Sequence, residues 1–215
     1  MPARDESAGR TPAPIKVLIA SSNPGKLREY NLLAKDSPVE LGLFPDFNQI
    51  PPYEESAPTF AENAAGKAQH YSCFASEIVL ADDSGLVVPA LGGAPGVQSA
   101  RYAGPNATDQ DRVRKLLREM EGKESDDRRA KFVCVMAIAR EGRVLAVVSD
   151  SVAGVLTKDP RGKDGFGYDP VFYFENLGRT YAETTREEKN RYSHRGKAFR
   201  KMLAILTSPE SFTLP

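Results

Sequence analysis

The sequence predicts a mixed α/β fold in which helices pack against a twisted sheet. In the first half of the chain, short apolar runs alternate with segments of helical periodicity. Two long strand-like runs follow, separated only by the tight turn at Glu141 and Gly142, and the chain closes on an amphipathic segment. Alternating strands and helices indicate a sheet covered by helices, and the paired long runs indicate a hairpin within that sheet.

Six segments are predicted to be strands, because each is an apolar run bounded by turn residues. The third is expected to end in two adjacent carboxylates, Asp82 and Asp83, and the fourth and fifth form the hairpin. In chain order the predicted strands are residues 15–20, 39–44, 78–81, 130–140, 143–156 and 171–174.

Four segments have the apolar spacing and the start signals of helices. Thr59 and Glu62 have the spacing of a capping box, and Thr108 and Ser193 stand where the third and fourth helices begin. The predicted helices are residues 26–34, 59–76, 108–120 and 193–206.

The composition is typical of a globular protein and argues against several functional classes. Equal numbers of basic and acidic residues, 29 of each, create no overall basic field for a nucleic acid. No run approaches the ~18 apolar residues of a membrane span, and the polar N-terminus lacks the apolar core of a secretory signal. We therefore expect a cytoplasmic protein with one domain over residues 15–207, a disordered tail over residues 1–14 and a second tail over residues 208–215.

The chain has two cysteines, Cys73 and Cys134, both beside apolar residues. We expect them to be reduced thiols of the core, as is usual in the cytosol. With only His70 and His194 to join them, they do not make a zinc cage.

The first candidate site lies between the first strand and the first helix. Hydroxyl, amide, glycine and lysine groups at a helix start suit the binding of phosphate oxygens. A Walker A loop is excluded because Ala20 and Leu27 occupy its required glycine and hydroxyl positions. The alternative is an ordinary capped turn. The segment comprises Ser21, Ser22, Asn23, Pro24, Gly25 and Lys26.

The acidic pair Asp82–Asp83 is the second candidate. If the strand continues through the pair, the two side chains point to opposite faces. A divalent cation would offset the cost of burying the carboxylates, and Mg²⁺ prefers one or two carboxylates with substrate phosphates. Glu54 and Glu55 could supply a further carboxylate. The alternative is a polar turn capped by Asp83 or Ser84.

Three other candidates are individually weak. Lys67 lies within an apolar helical stripe and either extends outward into solvent or meets an anion in a cleft. The glycine-flanked aromatic segment around residues 165–170 could stack on a base or form a plain turn. Donors near the last helix could contact a ligand or merely cap the helix. The residues of the last two groups are Phe166, Gly167, Tyr168 and Asp169, and Lys189, His194 and Arg195.

Over about residues 15–206 the chain closely resembles the inosine/xanthosine triphosphate pyrophosphatases, which remove aberrant purine nucleotides. The resemblance rests on the ordered motifs SSNPGK, EE, FAENA, ADDSGL, GGAPGVQSARYAG, GFGYDPVF, TREEK and SHRGKA. It implies a two-lobed fold with a long central sheet and a cleft, a homodimer, Mg²⁺ as cofactor, and cleavage between the α- and β-phosphates. One departure is Ser22, which stands where many members have a glycine.

The resemblance also implies roles for individual residues. Asp83 resembles the general base and metal ligand, and Lys67 a catalytic lysine near the phosphates. Glu54 resembles a metal ligand in a register uncertain by one residue because of Glu55. SSNPGK resembles the triphosphate loop. The residues that resemble other substrate contacts are Ser84, Phe166, Gly167, Tyr168, Asp169, Lys189, His194 and Arg195.

The resemblance therefore predicts Mg-dependent hydrolysis of ITP, dITP and XTP to the monophosphate and pyrophosphate. An alternative is a non-catalytic purine nucleotide sensor on the same scaffold. The carboxylates of Asp83, Glu54 and Glu55 favour catalysis. A Nudix hydrolase is disfavoured because no glutamate-rich helix of that type is present.

Overall fold

A computed structural model describes residues 13–21 and 24–208 and confirms a mixed α/β fold built on one seven-stranded sheet. The strands are β1 (Ile15–Ile19), β2 (Val39–Leu43), β3 (Ile78–Val87), β4 (Arg129–Arg140), β5 (Arg143–Leu156), β6 (Phe172–Phe174) and β7 (Arg179–Thr180). The helices are α1 (Pro24–Ala34), α2 (Phe60–Ser72), α3 (Asp109–Glu119), α4 (Arg186–Tyr192) and α5 (His194–Leu206).

The strand order of the sheet is β2-β1-β3-β4-β5-β6-β7. β1 pairs in parallel with β2 on one side and β3 on the other, whereas the remaining neighbours are antiparallel. The chain leaves β1 toward β2 and later returns to the other side of β1, so the strand order reverses between β1 and β3. In open α/β sheets, ligands bind outside the carboxyl ends of the strands at such a point.

Helices cover both faces of the sheet around β3. Ile78 and Leu80 point to the face covered by α1 and α5, where Tyr30 stacks on Phe199 with ring centroids 4.7 Å apart. Val79 and Ala81 point to the opposite face, in the cluster packed under α2. This alternation is the period of two expected for a strand buried on both sides.

A third apolar cluster surrounds the far halves of the long strands β3, β4 and β5. Leu116 of α3 is fully buried in it, together with Phe172 of β6 and Tyr181. The long strands therefore run from the clusters under α1, α2 and α5 to a separate cluster beside α3.

The capping signals were predicted correctly. The side chain of Thr59 accepts a hydrogen bond from the backbone N–H of Glu62, and Thr108 and Asp111 form a complete capping box. Ser193 Oγ accepts from Gly196 N at 3.1 Å and begins α5 at His194. These bonds satisfy amide groups that the first turn of a helix leaves without partners.

Two predicted element boundaries were wrong, and one short helix was not predicted. β3 does not end at Ala81 but continues to Val87, because β4 pairs with it along that length. α2 ends at Ser72 rather than 76, which leaves Phe74 outside the helix and 49% exposed. The short helix α4 was not predicted, although Thr185 caps it.

The expectation of two core thiols holds for only one cysteine. Cys134 is buried in β4, whereas Cys73 is exposed just after α2. Of the predicted tails, residues 1–12 and 209–215 lie outside the described part of the chain. Among the helices of that part, none combines the length and apolar character needed to cross a bilayer.

The stacked pair Tyr30–Phe199 generates a stability prediction. Phe199→Ala should lower the free energy of unfolding by about 3–5 kcal/mol, because a fully buried aromatic ring is replaced by a cavity. Urea denaturation of both proteins measures the difference. Ala204→Ser, on the exposed side of the same helix, should stay within about 0.5 kcal/mol of the parent protein. A loss below about 1 kcal/mol for Phe199→Ala would contradict this description of the core.

Candidate active site

The candidate site lies where β1 stops and β3 continues. Ala20 N donates to Leu80 O at 2.8 Å just after the last residue of β1. Beyond this point β1 no longer pairs with β3, whereas β4 continues to pair with it as far as Val87. Asp82 and Asp83 are the second and third residues of that extension.

Asp82 points to the face covered by α1 and α5. Lys26 Nζ lies 2.7 Å from its Oδ1, and Arg195 Nε lies 3.8 Å from its Oδ2. Burial alone would raise the pKa of this carboxyl, but the positive charges of Lys26 and Arg195 hold the pKa below its usual value. Asp82 is therefore a permanent anion that holds two cationic side chains in the crevice.

Arg195 connects several parts of this face. Its Nη2 donates to Ser84 Oγ at 3.0 Å and its Nη1 to Glu29 Oε2 at 3.5 Å. Burial would lower the pKa of Arg195, but nearby Tyr30 and Glu29 raise it. The residue is 5% exposed, so its orientation is determined by these contacts. Resemblance to the family led us to expect a base contact here, and the structure adds an electrostatic link to Asp82.

Asp83 points to the opposite face, toward α2. Its Oδ2 accepts a hydrogen bond from Asn63 Nδ2 at 3.0 Å. Burial, followed by the negative charge of Glu55, raises the pKa of Asp83 to about 6, although Asn63 and Lys67 oppose the rise. The neighbouring carboxylates thus have opposite environments, and their pKa values are driven apart.

Lys67 is also directed into the crevice and does not extend into solvent. It forms an ion pair with Glu55, and its side chain is 12% exposed. Burial would lower the pKa of Lys67, but the charges of Asp82 and Glu55 raise it. The lysine is therefore a cation near both members of the acidic pair.

Asn63 lies in the FAENA motif and was not predicted as a site residue, whereas Lys67 of the same helix was. Its side chain accepts from Ala57 N at 3.0 Å, donates to Ala57 O at 3.3 Å and donates to Asp83. The residue has no exposed surface. A buried amide needs hydrogen-bond partners, so an asparagine next to the apolar stripe of α2 was the available signal.

The acidic loop before α2 presents Glu55, and not Glu54, to the crevice. Glu55 contacts Lys67 and raises the pKa of Asp83, whereas the residue Glu54 is exposed. Arg101 Nη2 donates to Glu55 O at 2.8 Å and holds this part of the loop. Glu54, the metal ligand implied by the resemblance in a register uncertain by one residue, stays a prediction, and the contact with Lys67 favours Glu55 as the carboxylate nearer to Asp83.

The donor set of the crevice fits a magnesium ion. Asp83 and Glu55 supply carboxylate oxygens, and Mg²⁺ is usually bound by one or two carboxylates with water and substrate phosphates. Burial and the negative charge of Glu55 raise the pKa of Asp83, and a cation bound by the two carboxylates would oppose that rise. No group of three or more histidine, cysteine, aspartate or glutamate side chains converges within the described residues.

Next to the crevice, a cavity of about 140 Å³ adjoins the face of β3 that carries Asp82. Phe166 and His194 line it, and the His194 ring stacks on Phe132 with centroids 4.7 Å apart and planes 9° apart. The flat aromatic walls suit a planar ligand. The remaining lining side chains of interest are Ser84, Tyr168, Asp169, Lys189 and Arg195.

Phe166 is carried by a tight loop. Gly165 has φ +79°, and a Cβ on it would lie 2.2 Å from Asp169 Oδ2. That same oxygen accepts a hydrogen bond from Phe166 N at 2.8 Å, and Asp169 forms an ion pair with Lys189. Lys189 Nζ lies 4.3 Å from the centroid of the Phe166 ring. Through these contacts Asp169 fixes the backbone of the loop and keeps the Phe166 ring at the wall of the cavity.

The other two residues of this loop motif have different positions. Tyr168 is buried, and its hydroxyl donates to Ser99 O at 2.9 Å, so its polar atom is used within the protein. Gly167 N donates to Asp109 Oδ2 at 2.8 Å. Both residues line the cavity, but their hydrogen bonds are made to the protein and position the loop.

His194 has an unsatisfied polar atom at the cavity wall. Burial, followed by the charges of Arg195 and Lys189, holds its pKa well below the usual value, so the ring is neutral. Its Nδ1 is buried and has no hydrogen-bond partner among the described residues. A buried ring nitrogen without a partner is costly, and a ligand that supplies one would recover that cost.

The predicted phosphate loop is only partly described. Ser22 and Asn23 lie outside the described residues, while Ser21 follows β1 and the backbone of Pro24 and Gly25 opens α1. A proline at the first helical position is favourable because that position needs no N–H donor. Lys26, in the first turn, reaches Asp82 and thus lies at the crevice.

Comparisons with known proteins bear on the whole described domain. Residues 17–205 match the Ham1 family. The chain is similar to a dITP/XTP pyrophosphatase of Geobacillus kaustophilus, with 48% identity over 187 residues that cover 87% of this chain and 92% of the relative. It is 44% identical over 193 residues to a dITP/XTP pyrophosphatase of Escherichia coli, covering 89% of this chain and 98% of the relative. A HAM1 protein structure from Coxiella burnetii has a TM-score of 0.82 at 41% identity, covering 90% and 98% of the two chains.

The raised pKa of Asp83 predicts that its ionisation destabilises the fold. The unfolded-state pKa is about 3.9, and the folded-state value is about 6, so the folded chain binds the proton more tightly. Stability should fall as pH rises between these values. Asp83→Asn removes the charge and should therefore increase the free energy of unfolding at pH 7.5 by about 1–3 kcal/mol.

Urea denaturation in chelator-treated buffer measures this gain, which should shrink at pH 4.5 because the wild-type carboxyl is then mostly protonated. Asp36→Asn, at an exposed position outside the crevice, is the matched control and should give no such pH-dependent gain. An equal gain for Asp83→Asn at both pH values would show that ionisation of Asp83 is not the cause.

Proposed function

The chain belongs to the Ham1 family, and on that premise we propose that it hydrolyses non-standard purine nucleoside triphosphates such as ITP, dITP and XTP. It is a hydrolase that acts on the anhydride of the triphosphate, and the products are a nucleoside monophosphate and pyrophosphate. One observation carries the proposal. The split acidic pair Asp82–Asp83 lies between cationic side chains and an aromatic cavity, in the crevice at the end of β1.

The first chemical task is to reduce the repulsion between the triphosphate and the attacking water. Lys26 lies in the first turn of α1 beside the crevice, and Lys67 approaches the crevice from α2. The two lysines would bind phosphate oxygens from opposite faces of β3. Their attraction grows as charge develops on those oxygens in the transition state, and this difference lowers the barrier.

Asp83 is proposed as the general base. A carboxylate with a pKa near 6 is ionised at neutral pH and is still basic enough to accept a proton from water. Water oxygen would bond to the α-phosphorus, and the bond from that phosphorus to the α–β bridging oxygen would break. Asn63 would keep the carboxylate oriented through its hydrogen bond to Oδ2.

Asp83 and Glu55 are the residues that would hold Mg²⁺. When bound, the cation supplies positive charge to the phosphates and favours release of pyrophosphate. Glu55 forms an ion pair with Lys67 in this structure. If Glu55 bound the metal ion instead, Lys67 would be available to contact phosphate.

The aromatic cavity would select the base. Hypoxanthine and xanthine carry an acceptor oxygen at position 6, where adenine carries an amino group. Neutral His194 could donate from Nδ1, and Arg195 supplies further donors at the same wall. A site built from buried donors rejects a ligand that leaves them unpaired, and this would exclude ATP.

The homodimer implied by the family resemblance and the cytoplasmic location expected from the composition belong to the same proposal. Support for an association surface comes from β5, which pairs with β4 along one edge. Among the described residues, its other edge pairs with β6 only at Val155 and Leu156. Val144 and Val147, near the start of β5, are 39% and 46% exposed.

A panel of nucleoside triphosphates with Mg²⁺ tests the activity. ITP, dITP and XTP should yield pyrophosphate and monophosphate, with ATP a poor substrate. Asp83→Asn should lower kcat by about a hundredfold or more, since it removes the base. Asp36→Asn should retain the parent rate. Release of orthophosphate instead of pyrophosphate would contradict the proposed bond cleavage, and binding without turnover would favour the nucleotide sensor.

His194 allows binding and folding to be separated. His194→Phe keeps the ring that stacks on Phe132 and removes the ring nitrogens. Because Nδ1 has no partner within the described protein, folding should be retained, while KM for ITP should rise about tenfold through loss of one hydrogen bond. Steady-state kinetics and thermal denaturation measure the two effects. Unchanged KM in a folded variant would remove His194 from base recognition.

A further inference from the structure

The loop that carries Phe166 is held at two consecutive amides by two carboxylates. Phe166 N donates to Asp169 Oδ2 and Gly167 N donates to Asp109 Oδ2, each at 2.8 Å. Asp169 follows in the same loop, whereas Asp109 is the first residue of α3 and is distant in sequence. The ring of Phe166 is 42% exposed, so packing of the ring alone does not hold it in place. The hydrogen bond from Gly167 N to Asp109 of α3 therefore makes its own contribution to the position of Phe166.

Asp109 is itself held in place by Arg112, one turn further along α3. The two side chains form an ion pair, and Arg112 Nη1 donates to Ala107 O at 2.6 Å and to Ala100 O at 3.0 Å. Ala100 belongs to a short helical turn, Gly96–Arg101, that packs against β3. Gly85 in β3 permits this approach, since a Cβ there would lie 2.4 Å from Ser99 Oγ.

The contacts close into a ring around the mouth of the aromatic cavity. From the loop, Gly167 N reaches Asp109, whose partner Arg112 reaches Ala100 O. The neighbouring carbonyl, Ser99 O, accepts a hydrogen bond from the hydroxyl of Tyr168, which follows Gly167 in the loop. Every member of the ring is attached at both ends. Asp109 is the member that connects the helix to the loop.

We propose that Asp109 is a positioning residue for nucleoside binding, and that its bond to Gly167 holds Phe166 at the mouth of the cavity. This inference rests on the proposed function, because the ligand is the base of the purine nucleotide. Asp109 does not touch the phosphates and does not take part in bond cleavage. It fixes a stacking surface before the substrate arrives, which saves the entropy of ordering the loop on binding.

The chain contains a matched control two residues away. Asp111 also pairs with an arginine three residues on, Arg114, in the same helix. It differs in that its carboxylate bonds to Thr108 and caps α3, with no bond to the loop among the described residues. If nucleotide binding were weakened only because α3 is less stable, replacement of Asp111 would weaken it too. If binding depends on the attachment of the loop, only replacement of Asp109 should weaken it.

The kinetic test compares Asp109→Ala, Asp109→Asn and Asp111→Ala with ITP. Asp109→Ala should raise KM about tenfold and leave kcat within about twofold, because binding is weakened equally in the ground and transition states. Asp109→Asn keeps an acceptor oxygen for Gly167 N and should recover most of the KM. Asp111→Ala should lower the melting temperature and leave KM unchanged. A rise in KM that is the same for both alanine variants would overturn the proposal, as would an unchanged KM for Asp109→Ala.

A second measurement does not depend on catalysis. The chain has no tryptophan, so Phe166→Trp places a single tryptophan on the loop, which can be excited selectively at a wavelength where tyrosine does not absorb. The fluorescence anisotropy of this tryptophan should fall when Asp109→Ala is added and stay unchanged when Asp111→Ala is added. Equal anisotropy in all three proteins would show that Asp109 does not hold the loop. Failure of wild-type protein to cleave ITP, with the predicted anisotropy intact, would instead refute the proposed function and leave the attachment of the loop established.

Discussion

The organisation of the site depends on the extension of β3 beyond the end of β1. The extension leaves Asp82 and Asp83 in a continuous strand, where adjacent side chains point to opposite faces. Two carboxylates side by side in a turn would repel each other and compete for the same cations. Here Asp82 has Lys26 and Arg195, whereas Asp83 has an amide and a second acid. The pleat of the strand thus gives two chemically identical side chains separate surroundings.

Those surroundings have opposite effects on stability. The ion pair of Asp82 with Lys26 offsets the cost of burying a charge and attaches α1 to the sheet. Asp83 and Glu55 place negative charges near each other, an arrangement that raises the pKa of Asp83 and that a fold selected only for stability would avoid. Such local conflicts are expected at functional sites, where the charge is needed by a ligand. The acidic pair therefore combines a structural anion with one that we propose to be reactive.

Much of the architecture could be predicted because its signals are local. The hairpin of β4 and β5 follows from two apolar runs around Glu141 and Gly142, and the starts of α2, α3 and α5 follow from capping residues. The errors occurred where long-range pairing overrides local pattern. Hydrogen bonds from β4 carry β3 through Asp82 and Asp83, although carboxylates and a glycine normally indicate a turn. The helix α4 is only seven residues long and polar, so it has little periodicity to detect.

The sequence by itself determined the inventory of the site: the acidic pair, the lysines, the aromatic loop and the donors of α5 all lie in motifs that can be read from the chain, and resemblance to a family connected them. Tertiary structure decided which of them meet. It paired Glu55 with Lys67 and brought Asn63 to Asp83. It also joined Asp109 to Gly167 across 58 residues of chain. The physical reason is that side-chain direction and contacts between distant segments depend on the packed backbone, which no local spacing specifies.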